Sequence, residues 1–275
     1  MSRPAGLPLL SADRADLQPH LSCVGLSWAL ALLLGWCISL MLPLMWPPEG
    51  GWSSAAFLLP LVLLRTLLQT GLFIIGHDAM HGSLLPASPR WNNRVGCLAL
   101  WLYACLPWES CRRNHRRHHH APASRLDPDH HGRRSCGPLR WYLRFMASYL
   151  GPVQMVRRLA WWLAVLAVLQ PWTVHPLKAL LLFWILPLLL SSLQLFVFGT
   201  YLPHRQAPGR SQDRHRSTSL AWPRALSFLA CFHFGYHWEH HRDPQLPWFR
   251  LAETRHLMTA GRGGRRQLAL PQASR

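Results

Sequence analysis

The sequence predicts an all-α, polytopic membrane protein with about four transmembrane helices in two hairpins and a histidine-rich cap on the cytoplasmic side. Three observations predict it. Half of the residues are hydrophobic and only 15% are charged. The mean hydropathy is close to zero because long apolar runs alternate with dense Arg/His segments. The basic residues, 29 Lys+Arg against 11 Asp+Glu, are concentrated in alternate connecting segments.

The elements follow in order. Residues 21–46 carry no charge over 26 positions, and a span needs about 20 apolar residues. The run is too long for a signal-peptide core and is followed by Pro-Pro-Glu, not a small-residue cleavage site. Residues 55–76 form a second apolar run, interrupted by Arg65 and Gln69. These lie four apart, on one helix face, and the pair reads as a buried structural one, since a mid-span Arg is costly unless it faces protein or water. Residues 95–106 are apolar but too short to cross, which suits an interfacial or re-entrant helix. Segment 138–156 is aromatic and basic and also suits the interface. Residues 157–174 and 177–202 form the third and fourth spans, the latter with a kink expected at Pro187.

Charge sets the orientation. The two external connections, 47–54 and about 175–176, lack Lys and Arg. All basic residues except Arg65 and Lys178 fall in the N-terminal segment, in 77–158 or in 203–275. The positive-inside rule therefore places both termini and both large polar segments in the cytoplasm. The net charge of +18 is then mainly an orientation signal in a lipid bilayer, and nucleic acid is not an expected partner. Seven scattered cysteines do not form a disulfide framework. The expected organisation is one membrane-embedded domain over 1–260 and a flexible basic tail over 261–275.

Three clusters of histidine carry the chemistry. They are His77-x-x-x-His81, His115-x-x-His118-His119 and His237-x-x-His240-His241. Residues at i, i+3 and i+4 neighbour one another on a helix, so each cluster is expected to aim its imidazoles at one point. Neutral imidazole ligates iron, zinc, copper or nickel. Eight such residues exceed the four ligands of one zinc ion and suit two metal ions with open positions. Zinc proteolysis fits poorly, because the position beside the first histidine holds Asp78 where that chemistry needs Glu. Iron suits best: two Fe2+ ions can take up O2 and two electrons, whereas zinc has no redox chemistry.

In order, spacing and topology the clusters resemble the membrane fatty acid desaturase/hydroxylase superfamily of histidine-rich di-iron enzymes. The segments TGLFIIGHDAMHGS (70–83), LDPD (126–129), FGTYLPHR (198–205) and FHFGYHWEHHRDPQLPWFRL (232–251) resemble more closely its β-carotene ketolase branch, the carotenoid 4-oxygenases. The likeness covers about residues 55–255. It implies a ninth ligand, His204, which the residues alone leave open between ligand and interfacial histidine. It implies a di-iron cap, O2 as co-substrate, a carotenoid substrate oxidised at C4 of the β-ionone ring, and an external electron donor such as ferredoxin. The family usually has an aromatic after its Asp-Pro-Asp; here His130 and His131 stand there, read as solvated.

A ligating imidazole donates its other N–H to a carboxylate or carbonyl. Asp78, Asp127, Asp129 and Glu239 are candidates for that support, and so is His233, four residues before His237 on an assumed common helix face. Phe73, Trp101, Tyr103 and Phe198 are candidates to line an apolar substrate slot, with core packing or an interfacial aromatic belt as the favoured reading. Rival functions are a carotenoid 3-hydroxylase or acyl-lipid desaturase on the same scaffold, and a membrane metal transporter. A transporter would need ionisable residues inside its spans, whereas these histidines sit at span ends and beyond.

Overall fold

The computed structural model describes residues 14–45, 55–130, 137–171, 173, 175–205 and 214–267. The expected external loop 47–54, His131 and most of the basic tail lie outside the described residues. Among the described residues every regular element is helical. Four helices are long and apolar enough to cross a membrane, over Asp16–Met41, Leu58–His81, Pro152–Leu169 and Pro176–His204.

The first two spans belong to α1 (Arg14–Met45) and α2 (Ala55–His81), which pack together. Helix α2 is the hub, because α1, α3 (Pro89–Ala104) and the fourth span all rest on it. The short apolar stretch 95–106 thus belongs to a 16-residue helix outside the four spans. It seats closely because Gly96 has no side chain: a Cβ there would lie 2.4 Å from Ala79 Cβ. Gly82, at φ 73°, ends α2 in a left-handed turn that glycine adopts without steric cost. Next come α4 (Trp108–His120), α5 (Pro138–Tyr149) and α6 (Pro152–Leu169).

The third span is displaced from its expected place. It begins at Pro152 and ends at Leu169, although Arg157 and Arg158 lie inside it. Arg158 is tolerated because its Nη2 donates to the Ala104 carbonyl at 2.9 Å, while Gln154 Nε2 donates to Cys105 O at 3.0 Å. Both side chains satisfy the carbonyl end of α3, where the helix has no N–H of its own to offer.

The fourth span, α7 (Pro176–His204), is continuous but widens into π-helix at Leu181–Ile185 and Phe196–Tyr201. Pro187 has no N–H and so cannot donate to the Phe183 carbonyl four residues earlier. Arg65 Nε takes that place at 2.7 Å, and Arg65 Nη1 bonds the Trp36 carbonyl at 2.7 Å. Gln69 accepts from Trp36 Nε1 and donates to the Tyr103 carbonyl, each at 2.7 Å. The mid-span pair is therefore a fully buried polar lock across α1, α2, α3 and α7. The chain closes with α8 (Arg224–Cys231), α9 (His237–Arg242) and α10 (Trp248–Gln267).

Candidate metal centre

The three histidine clusters are helical, at the end of α2, in α4 and in α9, and His204 ends α7. Together they form two adjacent groups. In the first, one nitrogen each of His77, His81, His115, His119 and His240 lies within 4.8 Å of the others. In the second the same holds for His118, His204, His237 and His241. The expectation that each cluster aims at one point is corrected for two of the three. Residues at i and i+4 are only about 40° apart around a helix, and i+3 lies about 60° to the other side. So His115 and His119 stay together while His118 turns to the second group; His237 and His241 stay together while His240 turns to the first. The rings of His119 and His241 stack at 4.2 Å and join the two groups.

The donor chemistry fits metal ions. His118 Nδ1 lies 2.9 Å from Asp127 Oδ2, and His204 Nδ1 lies 3.0 Å from the Arg216 carbonyl. A carbonyl only accepts, so His204 carries its proton on Nδ1, and the carboxylate selects the same tautomer for His118. Both therefore aim Nε2 lone pairs inward. There they meet other Nε2 atoms, His118 to His241 at 3.1 Å and His204 to His237 at 2.9 Å. In the first group His81 and His115 approach to 2.7 Å, and His119 and His240 to 3.0 Å. Facing lone pairs repel unless a proton or cation lies between them. Adjacent ligands on an octahedral ion with metal–nitrogen bonds of about 2.0–2.1 Å stand roughly 2.9 Å apart. His77 Nε2 is buried with no hydrogen-bond partner among the described residues, as an inward ligand atom would be.

Electrostatics keep the imidazoles neutral. Burial, then the neighbouring imidazoles, hold His115, His119, His237, His240 and His241 well below the ordinary histidine value. His118 is the exception: burial pulls it down, but the hydrogen bond and charge of Asp127 outweigh that and raise it. Asp127 is lowered to match; burial pushes it up, and the His118 contact with two backbone N–H groups prevails. Burial pushes Asp129 up to about 6.

The candidate supporting residues divide. Asp127 meets His118, and its carboxylate also accepts from the Ala123 and Asp129 amides. Asp78 Oδ1 lies 3.2 Å from His77 Nδ1, and its Oδ2 accepts from Trp248 N–H at 2.9 Å. Asp129 lies beside His118 and Asp127, its Oδ1 accepting from the Tyr149 hydroxyl at 2.9 Å. Glu239 is not brought to an imidazole: Arg255 Nη1 at 2.8 Å and the Ser219 hydroxyl occupy its oxygens. Nor is His233. The chain at Phe232 and His233 has φ 47° and 64°, a left-handed turn closing α8, and α9 starts only at His237. The assumed common face does not exist, and His233 stacks on Tyr236 at 5.5 Å.

A largely apolar cavity opens against both groups, reaching His77, His115, His118 and His237. Of the four slot candidates, Phe73 and Tyr103 line it, although core packing or an aromatic belt is the reading the sequence favours. Trp101 and Phe198 do not: Trp101 is exposed and packs on Trp161, and Phe198 packs on Trp222. Sequence reasoning missed the Arg216 carbonyl, a backbone group without a side-chain signal. It also missed Tyr149 and Trp141, which bond the Asp129 carboxylate and carbonyl. Their segment is conspicuous only as aromatic, and that reads equally as an interfacial helix.

The fatty acid desaturase family matches residues 50–267. A beta-carotene ketolase of Paracoccus sp. (strain N81106 / MBIC 01143) is 45% identical over 192 residues, 69% of this chain and 76% of that protein. A beta-carotene ketolase of Paracoccus sp. (strain PC1) is 44% identical over 199 residues, 72% and 78% of the two chains. Beta-carotene 4-ketolase 3 of Haematococcus lacustris is 39% identical over 223 residues, 78% and 66%.

Proposed function

The chain belongs to the fatty acid desaturase family, in the branch of its ketolase relatives, and from that premise we propose that it is an oxidoreductase converting C4 of the β-ionone ring of β-carotene to a ketone. The observation that carries this reading is the apolar cavity walled at one end by histidines of both groups. It suits a long hydrocarbon whose ring end must reach two metal ions.

In this reading the nine histidines hold two iron ions, five donors in one group and four in the other. When bound, the iron pair supplies O2 activation with electrons from an external donor of the ferredoxin class. The chain supplies the rest. Asp127 and the Arg216 carbonyl fix the tautomers of His118 and His204. Phe73, Tyr103 and the aliphatic wall of α7 hold the ring and exclude water. C4 is allylic, so its C–H bond is weaker than that of an alkane. One oxygenation consumes an O2, two electrons and two protons, gives the 4-alcohol and releases water. A second gives the geminal diol, which loses water to leave the ketone, through echinenone to canthaxanthin when both rings react. The active site and both termini face the cytoplasm, on the strength of the basic connections.

Expression in a β-carotene-producing bacterium, followed by pigment analysis, tests this. Echinenone or canthaxanthin is expected. Zeaxanthin would instead make the chain a 3-hydroxylase, and unchanged carotene with newly desaturated lipids would make it an acyl-lipid desaturase.

A further inference from the structure

Two oxygenations at one carbon create a physical problem inside this cavity. The first converts a hydrocarbon ring into an alcohol. A hydroxyl buried without a partner among apolar side chains is costly, so an entirely apolar slot would favour release of the alcohol before it is oxidised again. The wall near the histidines is not entirely apolar. Asp129 and Tyr149 both line the cavity. Asp129 is buried, and a carboxylate oxygen of it lies within 4.8 Å of a ring nitrogen of His118.

Asp129 is held by its backbone and by its carboxyl. Its backbone N–H donates to Asp127 Oδ1 at 2.9 Å, its carbonyl accepts from Trp141 Nε1 at 2.9 Å, and Oδ1 accepts from the Tyr149 hydroxyl at 2.9 Å. No described residue donates to Oδ2. Of the other polar groups lining the cavity, Arg158 Nη2 donates to the Ala104 carbonyl and Ser192 is bonded to Tyr142 and Leu189, while Arg158 Nε has no partner among the described residues and Thr200 adds a hydroxyl to the wall. Asp129 thus offers a fixed acceptor oxygen beside the metal-facing imidazoles.

We propose that the Asp129–Tyr149 pair retains the 4-alcohol between the two oxygenations, Asp129 Oδ2 accepting its O–H while Tyr149 holds the carboxyl in place. This rests on the reading of function given above. The pair is a positioning device that decides whether the chain releases an alcohol or a ketone. The unoxidised ring has no hydroxyl to offer, so the pair contributes to the second oxygenation and not to binding of the hydrocarbon.

The test compares the wild-type chain with Tyr149→Phe and Asp129→Asn, purified with iron content measured, on β-carotene and on its 4-hydroxy derivative. The ratio of released 4-alcohol to ketone is expected to rise roughly tenfold in each variant, the worth of one hydrogen bond to a charged group. KM for the 4-hydroxy substrate rises with it, and by more than KM for β-carotene does. An unchanged product ratio in both variants at wild-type iron content overturns the proposal. So does a loss of iron with parallel loss of both products, which would make Asp129 a support of His118 alone. A shift in a third variant, Thr200→Val at another hydroxyl of the cavity wall, without one in the first two assigns the hydroxyl to that residue and also overturns the proposal. A wild-type chain that makes neither alcohol nor ketone overturns the reading of function, and the proposal with it.

Discussion

At the scale of the residue, the tautomer of one imidazole rests on one carboxylate. Asp127→Asn removes the charge that holds the His118 proton on Nδ1. Loss of such a partner costs about 10–100-fold in metal affinity, so iron titration of the variant should show weakened binding at one of two sites. Wild-type affinity at both would remove Asp127 from the support of His118. The other imidazoles give a pH dependence whose sign follows from their burial. Five histidines outside the spans are held below the ordinary value near 6.5, so the folded chain keeps them neutral where the unfolded chain protonates them. The unfolded state then binds more protons, and stability falls as pH drops through 6.5 and below. His118 and Asp127 do not add to this fall near neutrality, because their pair is retained until the lowered carboxylate titrates. Thermal unfolding of the metal-free chain in detergent should show a Tm that declines from pH 7.5 to 5.5. A flat profile would mean that these histidines are solvated.

At the scale of the element, helical spacing made the candidate ligands legible but not their division. The i,i+4 pairs can be read as units from the sequence, yet whether His118 or His240 joins the other group depends on which helix faces it. That information sits in the packing of α2, α4, α7 and α9, not in any one of them. His233 and Glu239 mislead for a related reason. Proximity in sequence places them beside His237 and His240, but a left-handed turn removes the first and Arg255 with Ser219 claims the second. The Arg65–Gln69 spacing was informative because a charge in an apolar run must find partners; which partners depends on the carbonyl to which Pro187 cannot donate. Replacing Arg65 with Leu removes its hydrogen bonds to the Phe183 and Trp36 carbonyls, and a hydrogen bond to a charged group is worth about 1.5–3 kcal/mol. Thermal unfolding of Arg65→Leu should therefore show a Tm well below wild type, whereas an unchanged Tm would mean that the lock carries no stability.

At the scale of the whole molecule, the number of spans follows from run length, and the way they meet follows from the metal groups. His77 and His81 end α2, and His204 ends α7. Because the two histidine groups adjoin, both helices must finish on the same face. Between them the chain needs one crossing away from that face, which α6 supplies, its first turns tied to Ala104 and Cys105. On the outer side of α4, Arg113, Arg116 and Arg117 are exposed while His118 is buried. The same helix thus carries basic residues outward and a clustered histidine inward. The histidine face and the basic face are one face, and the proposal that it is cytoplasmic rests on the positive-inside rule. A phosphatase reporter that works only outside the cytoplasm decides this. Inserted after Gly51 it should be active, and fused after Arg275 it should be silent. The reverse pattern would place the histidine groups on the far side of the membrane, away from any cytoplasmic electron donor.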